Sequence, residues 1–224
     1  LKNKNRPITF LDDRLIFPPV EMANPEGLLA AGGDLTPERL ILAYRNGIFP
    51  WFNEDSLILW WCPDPRMVLF PSKVRISKSM RNYLNRGQFR ISRDQAFERV
   101  MQACADAPRQ GQRGTWITHK MIEAYTNLFE KGIAHSYEVW QEDELVGGLY
   151  GLDFGHVFCG ESMFSKVDNA SKYALIHMCK ELEEKNYRLI DCQLHTPHLE
   201  SLGAELIPRQ EYLDILKRKD KGRV

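Results

Sequence analysis

The chain has 224 residues, 43% of them hydrophobic and 27% charged, with 30 Lys and Arg against 30 Asp and Glu, so its formal net charge is zero. This is an ordinary globular composition, long enough for one substantial core or for a small lobe joined to a larger one. Neutrality excludes polyanion capture by the field of the whole molecule, and no apolar run approaches the ~20 residues that span a bilayer.

The five cysteines, Cys62, Cys104, Cys159, Cys179 and Cys192, form no CxxC motif and fall largely in apolar runs. They read as buried free thiols in a reducing compartment, and with no secretory signal pattern the expected location is cytoplasmic.

Residues 1–35 are rich in Pro and Gly and read as irregular. A helix follows, capped by Thr36, started by Pro37 and stopped at Gly47, with Leu40, Ala43 and Tyr44 as its apolar stripe. After "GIFPWF" and the short strand "LILWW", the two prolines of "CPDPR" predict a hinge, which divides the chain into 1–64 and 65–224. Within "SKSMRNYLNR", Met80, Tyr83 and Leu84 stand at helical spacing. Helices are expected over about 94–106 and 118–131, with the loop "ADAPRQGQRG" between them.

A meander comes next: "HSYEVWQ", "LVGGLYGL" and "HVFCGESMF", joined by "EDE" and "DFG". Asn169 is placed to cap a helix striped by Leu175, Met178, Cys179 and Leu182. The strand "LIDCQL", a short helix from Thr196 and Pro197 to Gly203, and a last strand "AELI" complete the order. The pattern is a mixed α/β, α+β layer architecture.

Asp191 and Gln193 interrupt the apolar strand. Regular alternation puts them on one face, roughly 6.5–7 Å apart. They are either a strand end bonded to neighbouring backbone or a polar pair on a cleft wall, since burying an unpaired polar group costs about 2–7 kcal/mol. Glu161, in "CGESMF", is either an exposed edge residue or a receptor for a cation.

Trp60 and Trp61 read as core, whereas Trp51 and Trp116 sit beside loops and suit base stacking, worth ~1–3 kcal/mol per base. No acidic residue lies between Arg66 and Asp94, while Lys73, Arg75, Lys78, Arg81, Arg86, Arg90 and Arg93 do. That run is either a solvated face or a phosphate-binding one. His195 and His198 lack the further ligands of a zinc site, and Cys159 or Cys192 as nucleophile would need a base nearby.

Taken together, "GIFPWF", "LWWCPDPR", "GTWIT", "EVWQEDELVGGLYG", "FCGESMFS", "NASK" and "DCQ", with His198 and "SLGA" after them, resemble the leucyl/phenylalanyl-tRNA–protein transferase family from about Gly27 to Arg218. The resemblance implies a small N-terminal lobe on a domain like the acyl-CoA N-acyltransferases. It implies transfer of leucine or phenylalanine from leucyl-tRNA or phenylalanyl-tRNA to the α-amine of proteins beginning with Arg or Lys, which marks them for degradation. It implies no cofactor, and the Gly-rich pyrophosphate loop of coenzyme-A enzymes is missing from "SMFSKVDNASKYAL".

By motif position, Trp51 and Trp116 are expected to hold the terminal adenosine. Glu161 is expected to bind reacting groups, and Asp191 and Gln193 to act on them. A pocket of Leu149, Phe158, Met163, Leu175, Met178 and Leu182 is expected to take the aminoacyl side chain, and Lys73, Arg75, Lys78, Arg81 and Arg86 to hold tRNA phosphates.

An α-amine with pKa about 7.7–8.0 is partly neutral at pH 7, so the chemistry asks for placement more than for a strong base. The alternatives are a coenzyme-A-dependent N-acetyltransferase and a non-catalytic tRNA-binding module.

Overall fold

A computed structural model describes residues 8–108 and 115–218. The expected loop 105–114 lies outside them from 109 onward.

The first elements are β1 (Thr9–Leu11), β2 (Leu28–Gly32), α1 (Pro37–Arg45), β3 (Phe49–Pro50) and β4 (Leu59–Trp61). Their strands form one sheet in the order β1-β2-β4-β3. Two of these strands lie in the stretch expected to be irregular. Long-range bonds fix it: the buried Arg39 guanidinium donates to the carbonyls of Asp12 (2.8 Å) and Arg14 (3.1 Å) and pairs with Asp34.

Helix α1 starts as expected, with Thr36 Oγ1 accepting from the Arg39 amide and Pro37 in the first turn. It ends at Gly47, whose φ is 74°. The left-handed backbone favours glycine there, and a Cβ would press on Leu213 Cδ2 at 2.7 Å.

After Trp61 the chain crosses to a second sheet. Its elements are β5 (Arg66–Leu69), α2 (Lys78–Asn85), β6 (Arg90–Arg93), α3 (Phe97–Asp106), α4 (His119–Glu130), β7 (Ala134–Gln141), β8 (Glu144–Asp153) and β9 (Val157–Ser165). It continues through α5 (Ala170–Glu184), β10 (Leu189–Gln193), α6 (Pro197–Ser201), β11 (Glu205–Ile207) and α7 (Arg209–Lys217). The strand order is β11-β5-β10-β9-β8-β7-β6. The expected α+β class, with mixed sheets, is what the structure shows.

Residues of α1, α3, α4 and α7 share one buried cluster, and α2 and α5 pack in the other. The central strands are therefore covered on both faces, which is why β8 is buried almost end to end.

Strands β3, β5 and β6 and helix α7 were not expected. Strand β6 is an edge strand inside the basic run, a place where charges guard an unpaired edge. Asn169 occupies the N-cap position of α5 but makes no side-chain cap: it is left-handed, at φ 67°. Ser165 Oγ instead accepts from the Ser171 amide at 2.9 Å.

Candidate active site

Strands β9 and β10 are parallel neighbours joined by α5, and their pairing stops at Cys159 and Asp191. Beyond that point they part. A parallel pair that diverges at its carboxyl end opens a crevice, the usual ligand position in an α/β sheet.

Two bulges shape the crevice. In β9, Gly151 pairs with Gly160 and Tyr150 with Ser162, which leaves Glu161 as the extra residue. In β10, Asp191 pairs with Val68 and Gln193 with Met67, which leaves Cys192 over. A bulge re-aims the side chains that follow it. Asp191 and Gln193 therefore do not share a face as alternation would have them, and Gln193 takes a left-handed backbone, φ 57°.

The crevice holds a cavity of about 230 Å³. Leu149, Met163, Leu175, Met178 and Ile190 make it apolar, and Glu161, Gln193, Thr196 and His198 supply its polar groups. Drug-sized ligands fill about 300–1,000 Å³, so this space suits one side chain rather than a whole ligand.

Glu161 collects donors from three elements. Tyr44 of α1 donates to Oε1 at 2.7 Å, Tyr125 of α4 to Oε2 at 3.2 Å, and Gln193 Nε2 to Oε1 at 3.3 Å. Burial pushes the carboxyl up to about 7; the Tyr44 bond opposes that rise, and the negative charge of Asp191 adds to it.

Asp191 is entirely buried. Arg66 grips it with a fork, Nε to Oδ1 at 2.8 Å and Nη2 to Oδ2 at 2.7 Å. Tyr212 of α7 donates to Oδ2 at 2.9 Å, and the Gln193 amide to Oδ1 at 3.0 Å. The guanidinium lies over both the Phe49 and Tyr212 rings, 4.8 and 4.7 Å from their centroids. Asp191 is absent from the cavity wall, so its carboxylate meets protein groups rather than the cavity.

The family model for leucyl/phenylalanyl-tRNA protein transferase matches residues 68–217, and that for its N-terminal domain matches 33–64. The chain belongs to this family. Its members are aminoacyltransferases, and so is this chain.

It is 58% identical over 210 residues to the leucyl/phenylalanyl-tRNA–protein transferase of Flavobacterium johnsoniae, covering 94% of this chain and 99% of that one. The enzyme of the same name from Nitrosomonas europaea is 59% identical over 198 residues, covering 88% and 84%. Among solved structures, a GCN5-related N-acetyltransferase from Kribbella flavida superimposes with a TM-score of 0.38 at 9% identity, covering 77% of this chain and 61% of that one.

In this transferase Leu149, Met163, Leu175 and Met178 do line the cavity, but Phe158 and Leu182 do not. The Phe158 ring lies over Gly151, where a Cβ would be 2.5 Å from its Cε1. Leu182 stands one turn beyond Met178 along α5, inside the core. Trp51 and Trp116 are half-buried against the core of the first cluster. The Trp51 ring meets Trp61 edge-on at 5.6 Å, and its carbonyl accepts from Trp61 Nε1.

The basic run divides. Arg66 is internal, and Arg93 pairs with Glu181, Asp153 and Asp94. Lys73 pairs with Glu205 at 2.6 Å. Arg75, Lys78, Arg81 and Arg86 are exposed, the last three on or at the end of α2, and Arg81 Nε also bonds the Ile76 carbonyl.

His195 pairs with Glu200, and among the described residues no group of three or more His, Cys, Asp or Glu side chains could hold a metal ion. Burial pushes the Cys159 and Cys192 thiols up, away from the reactive thiolate. No helix among the described residues is long and apolar enough to cross a membrane.

Arg66, Tyr44, Tyr125 and Tyr212 were missing from the expected site. One signal was legible: a tyrosine on a buried helical stripe needs a partner for its hydroxyl. Tyr44 sat on such a stripe.

Proposed function

We propose that the cavity between β9 and β10 receives the leucyl or phenylalanyl side chain of an aminoacyl-tRNA, with the reacting ester beside Glu161 and Gln193. One observation carries this reading: an apolar space of one side chain's size opens against a carboxylate and an amide that touch each other.

Because Gln193 Nε2 donates to Glu161, the amide oxygen is the atom left to accept from an incoming α-amine. The amine nitrogen bonds to the ester carbonyl carbon, the bond to the ribose oxygen breaks, and the amine's proton passes to that oxygen. Glu161, held near pH 7, is matched to relay the proton and to stabilise positive charge growing on the nitrogen.

Trp51 and Trp116 stack on the terminal adenosine. Arg75, Lys78, Arg81 and Arg86, with Lys73 beside them, take the backbone phosphates, which give affinity without reading sequence. The acceptor is a protein whose first residue is Arg or Lys, and the product is directed to degradation in the cytoplasm. Residues 1–64 act as the small lobe that brings Tyr44 and Trp51 to the catalytic residues of 65–224.

Labelled phenylalanyl-tRNA mixed with a protein beginning with Arg tests the reading. Label in the protein that is lost in Gln193→Ala, with tRNA affinity unchanged, supports it. Tight tRNA binding with no label transferred leaves only a binding module.

A further inference from the structure

We propose that Arg66 and Tyr212 are positioning residues for the transfer reaction, setting the backbone of Gln193 through Asp191. This rests on the assignment of Gln193 to the reacting centre.

Gln193 has φ 57°, a conformation that residues with a Cβ avoid. Such a backbone persists only where its surroundings over-determine it. Here the restraint is the Gln193 amide bonded to Asp191 Oδ1 at 3.0 Å.

That oxygen is itself immobile. Arg66 Nε donates to it, Arg66 Nη2 and the Tyr212 hydroxyl fix its twin, and all three side chains are buried. The guanidinium also lies over the rings of Phe49 and Tyr212. The chain of contacts thus runs from α7 and β5 to Asp191, then to the Gln193 backbone, and ends at Gln193 Nε2 on Glu161.

Were Gln193 to relax to an extended φ, strand alternation would turn its side chain to the other face and withdraw the amide from the cavity. Helix α7, through the Tyr212 hydroxyl on Asp191, thereby helps to position the reacting amide.

Two variants separate positioning from folding. Tyr212→Phe removes one O–H and keeps the ring that packs on Gly47 and Arg66. The double variant Arg66→Met with Asp191→Leu replaces the buried ion pair by apolar groups, so that no lone charge is left inside, although the Tyr212 hydroxyl and the Gln193 amide lose their acceptor.

Steady-state kinetics with phenylalanyl-tRNA and an Arg-initiated acceptor should show Tyr212→Phe with kcat down about tenfold and KM for the tRNA within about twofold. The double variant should still unfold cooperatively, so that kcat is read on folded protein, and should lose at least about a hundredfold in kcat. A wild-type kcat in both overturns the inference, as does a loss that follows only the unfolded fraction. Gln193→Ala is measured alongside. If it too has wild-type kcat, the site reading itself is wrong; if it is impaired while the other two are normal, only the positioning role of Arg66 and Tyr212 fails.

Discussion

Replacing Tyr44 by Phe should move the pH dependence of transfer upward by about one unit. Tyr44 is buried and donates to Glu161 Oε1 at 2.7 Å, while Tyr125 and Gln193 donate at 3.2 and 3.3 Å. A hydrogen bond to a charged group is worth about 1.5–3 kcal/mol, and one pKa unit is about 1.4 kcal/mol. The remaining donors recover part of the loss, so about one unit is expected.

The sign follows from which form is bonded. The tyrosine stabilises the carboxylate and holds its pKa down against burial, so removing it raises the value. From about 7 in the wild type, Glu161 would move up by about one unit. With the carboxylate as the active form, activity at pH 7 falls about fivefold and returns toward wild type at pH 9.

Both enzymes meet the same titrating acceptor amine, so the difference between their kcat–pH curves reports the protein. The enzyme-free hydrolysis of the ester is subtracted at each pH. Carboxyl-carbon NMR of labelled Glu161 gives the shift directly. An unmoved or lowered profile would refute the role given to Tyr44.

Met178→Ala should enlarge the cavity and shift the donor preference toward the bulkier phenylalanyl group by severalfold. A methylene in an apolar pocket is worth about 1–3 kcal/mol of discrimination, and competition between labelled leucyl-tRNA and phenylalanyl-tRNA measures it. The same change costs about 2–5 kcal/mol of stability because Met178 is buried, which denaturant unfolding checks. Lys78→Glu with Arg81→Glu should raise KM for tRNA and leave kcat alone. Each phosphate contact removed should flatten the logarithmic salt dependence of binding by about one.

Much of this architecture was readable from the chain, and the exceptions share a cause. The strands now called β7, β8 and β9 stood out by alternation and turn residues, and α5 by its apolar stripe, because those signals are local. Arg66 was read with its basic neighbours because nothing nearby shows that Asp191, 125 positions away, takes its charge. The faces of Asp191 and Gln193 were misjudged for the same reason: a bulge is set by the register of β5 against β10.

In the candidate site, four of six expected pocket residues reached the wall. Phe158 and Leu182 missed it because position along an element, beyond which face a residue occupies, decides what it lines. Tyr44 and Tyr125 lay in helices that looked merely apolar and Tyr212 in one that was not expected, and only the folded chain shows where their hydroxyls point.

The most direct test is a crystal structure with phenylalanine joined through a stable amide to adenosine. The account predicts the phenyl ring between Leu149, Met163, Leu175 and Met178, with the carbonyl beside Gln193 and Glu161. A ring bound elsewhere, with that cavity still empty, would contradict it.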